Sequence, residues 1–222
     1  MEQRFENAIN ELDWNTVFAI LEDHPDLANE NLLKTALYDN DDIETLRQVL
    51  PFSDKELLSY DTISDLKLSD EMLRVLFDEE FLDLKYELVS LAGYDDPDGY
   101  NQIAKIYGYP EFAARIDFPS FLVENRILSY EDLLHNNGTD AFEEAITYSS
   151  VRPTIDNYFD AIRFAPDSSS RAPGPLRAIL QRYPPNKKLL QDLYREADDE
   201  EEYSEAFREQ LYEELAKVGP RE

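Results

Sequence analysis

A short apolar trio at helical spacing recurs at nearly even intervals through the first half of the chain, and this recurrence restricts the fold more than any other feature. Val17, Ile20 and Leu21 are answered by Leu46, Val49 and Leu50. Met72, Val75 and Leu76 follow, and then Ile103, Ile106 and Tyr107. Positions i, i+3 and i+4 lie on one face of an α-helix. Two of the stripes extend further, with Trp14 and Phe18 beside the first trio and Ile43 beside the second. Ala8, Ala36 and Ala92 stand at a nearly constant distance before the ends of the first, second and fourth trios. A small residue there lets a preceding helix pack closely against the apolar stripe. Two short helices per unit and a period of roughly 30 are the pattern of a helical solenoid. With six Gly in 222 residues and few Asn-Gly or Asp-Gly signals for hairpins, the chain is expected to be all-α.

Each stripe follows an acidic or Asn-containing turn: Asp13, then Asp39-Asn40-Asp41-Asp42, then Ser69-Asp70-Glu71, then Asp95-Asp96-Pro97-Asp98. Such side chains accept the orphan N–H groups of a helix start and suit the positive end of its dipole.

The stretch AINELDWNTVFAILEDHPDLANENLLKTALYDNDDIETLRQVL (residues 8–50) resembles degenerate ankyrin repeats, with VFAILEDHPDLANEN as the best local match. The resemblance covers residues 5–110 and fades beyond. It implies stacked antiparallel helix pairs and a protein-binding role. The chain departs from that pattern in lacking a Thr-Pro-Leu-His opening, in placing Asp or Asn where the family has an inter-helix Gly, and in its drifting period. Another two-helix repeat and an irregular helical bundle stay open.

Beyond residue 110, Phe121-Leu122, Ile127-Leu128 and Leu133-Leu134 keep helical spacing, and Asn136-Asn137-Gly138 reads as a left-handed helix end. Two further helices are expected over 140–148 and 154–164. The expected organisation is a repeat domain over 1–164, a Pro/Ser/Gly linker over 165–175, and a helical extension with an acidic tail over 176–222. In that extension Pro184-Pro185-Asn186 separates a helix over 176–183 from a long final one. Asp198 to Glu202 is either a solvated face of that last helix or a break in it.

Charge narrows the function. The 49 Asp and Glu against 21 Lys and Arg leave a net −28. Hydrophobic residues at 42% and aromatics at 12% are too many for a disordered acidic chain. Residues 1–100 hold 26 acids and 7 bases, whereas residues 151–195 reverse the sign with 4 acids and 8 bases. Those bases are Arg152, Arg163, Arg171, Arg177, Arg182, Lys187, Lys188 and Arg195, which either pair with the chain's own acids or form a second contact surface. Direct binding to nucleic acid or anionic lipid is disfavoured, since both repel a polyanion. No apolar run approaches a membrane span and the N-terminus lacks a signal-peptide pattern, so an intracellular protein, cytoplasmic or nuclear, is expected.

The residues offer little chemistry. There is no Cys, only two His (His24 and His135), and no glycine-rich phosphate loop or nucleophile elbow. Asp39–Asp42 and Asp95–Gly99 are the candidate Ca²⁺ or Mg²⁺ turns. Counted from Asp96, the twelfth position is Tyr107, where a calcium loop needs Glu, and helix capping accounts for both turns better. No enzyme activity, metal or cofactor is expected. The expected function is an interaction module whose acidic turns grip a basic protein surface, plausible as an inhibitor in virus–host conflict. The contacts expected are Asp13, Tyr38, Asp39, Asp41, Asp42, Asp70, Glu71, Asp95, Asp96, Asp98 and Tyr100. The alternative is a DNA mimic, in which carboxylates spaced along a rod occupy the nucleic-acid cleft of a restriction, CRISPR or chromatin protein. Salt adaptation is a third account of the acidity, and the basic stretch at 151–195 speaks against it. Trp14 is expected in the core. Tyr38, Tyr60, Tyr94, Tyr100, Tyr107 and Tyr109, in or near turns, divide between core and interface.

Overall fold

A computed structural model describes residues 1–38, 42–55, 58, 68–113, 116–136, 138–164, 173–198 and 203–220. Among them are 14 α-helices and no strand. They are α1 (Glu2–Asn10), α2 (Trp14–Asp23), α3 (Glu30–Tyr38), α4 (Ile43–Val49), α5 (Asp70–Asp78), α6 (Leu84–Tyr94) and α7 (Pro97–Tyr107), followed by α8 (Phe118–Glu124), α9 (Tyr130–His135), α10 (Thr139–Tyr148), α11 (Ile155–Arg163), α12 (Gly174–Arg182), α13 (Lys187–Ala197) and α14 (Glu205–Ala216). The expectation of an all-α chain holds.

The chain divides into two units, Met1–Leu84 and Lys85–Glu222. The expected boundary at 165–175 does not coincide with this division. The helix after it, α12, packs on α10 and α11, and its neighbours on both sides in sequence belong to one unit. Residues 165–172 of the expected linker lie outside the described residues. So do Asn40, Tyr60, Arg171 and the 199–202 part of the acidic run, but the helices flanking that run, α13 and α14, are separate.

In the first unit α1 pairs with α2 and with α3, α3 with α4, and α4 with α5. The recurring trios form its core: Val17, Leu21, Leu46, Val49, Met72 and Leu76 are each at most 1% exposed. Ala8 and Ala36 are buried as well, which suits the close approach of α1 and α3 to their partners. Each such aliphatic side chain contributes about 1.5–3 kcal/mol on full burial. Trp14 departs from expectation. It is half-buried and stacks on Phe18 with ring centroids 6.0 Å apart.

In the second unit the helices contact one another in a regular order. α8 packs on α10, α10 on α12 and α12 on α14, while α9 packs on α11 and α11 on α13. Cross-contacts join α9 to α10, α11 to α12 and α13 to α14. Hydrogen bonds fix the direction of the first set. Glu124, ending α8, accepts the Ser150 N–H just past α10 at 2.6 Å. Arg182, ending α12, donates to the Thr147 and Ser149 carbonyls at the end of α10. The C-termini of α8, α10 and α12 therefore share one side.

Most helix starts are capped as the acidic turns suggested. Asp13, Asp42, Ser69, Asp96, Asp117, Ser129, Thr154, Asn186 and Ser204 each accept a backbone N–H of the first turn. Helix ends differ from expectation. Gly108 takes the left-handed conformation after α7, but Leu12, Glu80, Asp95 and Arg126 take it as well, at φ between 52° and 59°. Each closes a pair of bonds from the loop back to the helix, such as Ile127 N–H to Leu122 O at 2.9 Å with Arg126 N–H to Val123 O at 3.1 Å. Gly138 is not left-handed; its φ is −82°. It is needed for room, since a Cβ there would lie 2.7 Å from Val89 Cγ1 and 2.8 Å from the Leu133 carbonyl oxygen.

Candidate functional site

The expected contact residues fall in several different settings. Asp13, Asp42 and Asp96 are helix caps. The Asp13 carboxylate accepts from Thr16 N–H and hydroxyl, and the Asp42 carboxylate accepts from Glu44 N–H and Thr45 hydroxyl. Both carboxyls sit below the usual range, because of the threonine hydroxyl first. Asp70, Glu71 and Asp98 lie in first turns of helices, where the dipole favours them. Tyr38 is exposed at the end of α3, and Asp39 and Asp41 lie outside the described residues.

Tyr100 requires correction. It is fully buried and cannot meet a partner. Its ring packs edge-on against Phe118 and Phe121, and its hydroxyl donates to the Pro110 carbonyl at 2.6 Å. Burial first, and then Tyr109, push that phenol up to about 12. Tyr130, Tyr158 and Tyr194 are buried in the same manner, donating to the carbonyls of Val151, Tyr183 and Gly219.

Four of the basic residues at 151–195 pair within the chain while staying at its surface. Arg163 pairs with Glu196 at 2.7 Å, Arg177 with the buried Glu214 at 2.9 Å, and Arg195 with Asp192 at 2.7 Å. Arg182 binds the α10 carbonyls described above. Internal pairing therefore accounts for these four.

Asp95 is the expected contact around which a site assembles. It ends α6 in the left-handed conformation, next to exposed Tyr94. Asp95, Asp117 at the start of α8 and Asp140 in the first turn of α10 all act on Glu144. The Glu144 carboxyl is raised above the usual range by partial desolvation first, then by Asp117, Asp95 and Asp140 in turn. Neighbouring like charges disfavour ionisation. Beside them, one face of α6 (Tyr86, Ser90, Gly93 and Tyr94) faces Asn136, Thr139 and Asp140 across a groove of about 260 Å³. Tyr86 is 50% exposed and Tyr94 68% exposed, so two aromatic rings stand at the surface of a groove that Asp140 also lines.

Sequence reasoning missed Tyr86, Gly93, Asp117, Asp140 and Glu144. A signal was present in two of them: Asp117 and Asp140 stand at the starts of alternate helices. Their meeting depends on α8 packing directly on α10, which the sequence does not announce.

Among the described residues no group of three or more His, Cys, Asp and Glu is arranged to hold a metal ion, and no helix is long and apolar enough to cross a membrane. No family profile, curated protein or solved structure matches the chain.

Proposed function

We propose that this chain is a non-enzymatic binding module that docks a basic segment of a partner protein on the face formed by α6 and the starts of α8 and α10. The observation that carries this reading is the groove edged by Tyr86, Tyr94 and Asp140, with Asp95 following Tyr94 in the chain and Asp95, Asp117 and Asp140 all within electrostatic reach of Glu144. Complementary potential draws a cationic partner in and raises its association rate. Exposed tyrosines provide contact area at little entropy loss. The successive contacts α8–α10–α12–α14 and α9–α11–α13 support a two-row helical stack as the frame, the finer form of the all-α fold. An inhibitor in virus–host conflict is one role such a module serves.

The DNA-mimic reading needs acids repeated along many units. In the row α8, α10, α12, α14 the run of acidic starts is interrupted at α12 and resumes only with Glu205 of α14. α12 opens with Gly174-Pro175, and its Arg177 pairs with Glu214. A local cationic segment suits this better than a duplex-binding cleft.

The test compares two variants, each lacking three charges. The combination Asp95→Asn, Asp117→Asn and Asp140→Asn keeps the cap at Asp117 and the turn at Asp95, because Asn serves in both. The control combines Asp26→Asn, Asp78→Asn and Glu79→Gln, three exposed acids of the first unit. Binding of a labelled nona-arginine peptide is followed by anisotropy. The site variant is expected to weaken it about tenfold, and the control less than about twofold. Equal losses would show general attraction to net charge and no site.

A further inference from the structure

Gly93 has no structural reason to be glycine. It sits within α6 in ordinary helical backbone, where Gly is less favourable than Ala. A Cβ added there would meet nothing within 4 Å. This is unlike Gly138, which packing forbids to be larger, and unlike Gly108, which holds a left-handed turn. What Gly93 does provide is space, since it lines the groove between Tyr86 and Tyr94.

The two tyrosines are eight residues apart on α6, which places them about 12 Å apart along its axis. The space of about 260 Å³ lies below the range of about 300–1,000 Å³ typical for whole small-molecule ligands. It suits a single long side chain. Its aromatic edge and its acids, Asp140 within the lining and Asp95 next to Tyr94, select a cation with a flat face. A guanidinium stacks on tyrosine and donates two parallel N–H bonds to a carboxylate, whereas an ammonium does neither as well.

We infer that Gly93 holds this groove open for one arginine side chain of the partner, which lies across α6 with its guanidinium between the Tyr94 ring and the carboxylates. This rests on the binding role proposed above and specifies its central contact. The arginine stem covers the bare backbone at Gly93, and neighbouring basic residues of the partner meet the acids at the starts of α8 and α10.

The experiment uses the full chain and three nine-residue peptides. Each carries lysine at both ends, and the central residue is arginine, lysine or citrulline, the last an uncharged near-isostere of arginine. The arginine peptide is expected to bind about tenfold tighter than the citrulline peptide and about threefold tighter than the lysine peptide. Gly93→Leu, which projects a side chain into open space, is expected to remove about tenfold of the arginine peptide's affinity and leave the citrulline peptide unchanged. Gly93→Ala provides a folding control, with a raised Tm expected from helix propensity. Arginine binding within twofold of wild type in Gly93→Leu, or equal binding of the arginine and citrulline peptides, overturns the assignment. If that happens while the Asp95/Asp117/Asp140 variant still loses nona-arginine, the binding role stands and only the arginine contact fails. If that variant behaves as its control does, the binding role itself fails.

Discussion

At the scale of single residues, four helix ends run against local preference. A non-glycine residue in the left-handed conformation is strained by about 1–2 kcal/mol, yet Leu12, Glu80, Asp95 and Arg126 all adopt it. Sequence alone points to Asn or Gly at such turns, because those residues favour the conformation by themselves. Here the bonds that close each turn, and the apolar residues just beyond it, impose the geometry. Leu128 and Leu82 are buried two residues past Arg126 and Glu80. Relieving the strain without touching the core is therefore stabilising. Arg126→Gly, at an exposed position, is expected to raise stability by about 1 kcal/mol and Tm by about 2–4 °C in calorimetry. A lowered Tm would mean that the arginine side chain contributes more than the backbone strain subtracts.

At the scale of elements, the helices of the second unit are tied by buried tyrosines as well as by their apolar stripes. Tyr158 of α11 donates to the carbonyl of Tyr183, the residue that ends α12, at 2.6 Å. Tyr158→Phe keeps the ring and removes the donor, leaving that carbonyl short of a partner. A loss of about 1–3 kcal/mol in urea unfolding is expected, with an unchanged m-value. The stripes were legible in advance because a 3.6-residue period is written in the order of residues. The tyrosines were not, because whether a turn tyrosine faces inward depends on which loop carbonyl the packing places above it. Tyr100 and Tyr94 stand six residues apart and have opposite fates, one fully buried and the other 68% exposed.

At the scale of the whole molecule, a net charge of −28 opposes folding, and pH and salt should modulate it. Two groups of carboxyls act in opposite directions. Asp13, Asp42 and Glu124 are held low in the folded chain, chiefly by hydrogen bonds from Thr16, Thr45 and Ser150 respectively. Asp132 is also held low: burial raises it, but hydrogen bonds from Lys85 and Ser129 outweigh that. The stability these four give is present above their unfolded pKa and is lost as pH falls through their folded values. Glu144 and Asp160 are raised, by desolvation first. They destabilise the fold near neutrality and cease to do so as pH falls through their raised values. Tm is therefore expected to rise on acidification from neutrality as Glu144 and Asp160 take up protons above the ordinary carboxyl range, and to fall at lower pH, as protonation of the caps removes their contribution. Added salt should raise Tm at about pH 7.5 by screening repulsion, and much less near the isoelectric point of about 4.2, where the net charge vanishes. A Tm that falls steadily on acidification from neutrality would show that the raised carboxyls and the net repulsion matter little to stability.

By itself the sequence determined that this chain is helical, which faces of its helices are buried and where most of them start, because periodicity and N-cap chemistry are local and need no knowledge of the rest. It also determined the net acidity on which the proposal of a cationic partner rests. Tertiary structure alone decided which acids meet. Asp95, Asp117 and Asp140 come from three separate segments, and the packing of α8 on α10 and the turn after α6 put them within electrostatic reach of Glu144. The grouping of carboxylates depends on distances in space, and the order of residues along a chain does not encode those distances locally.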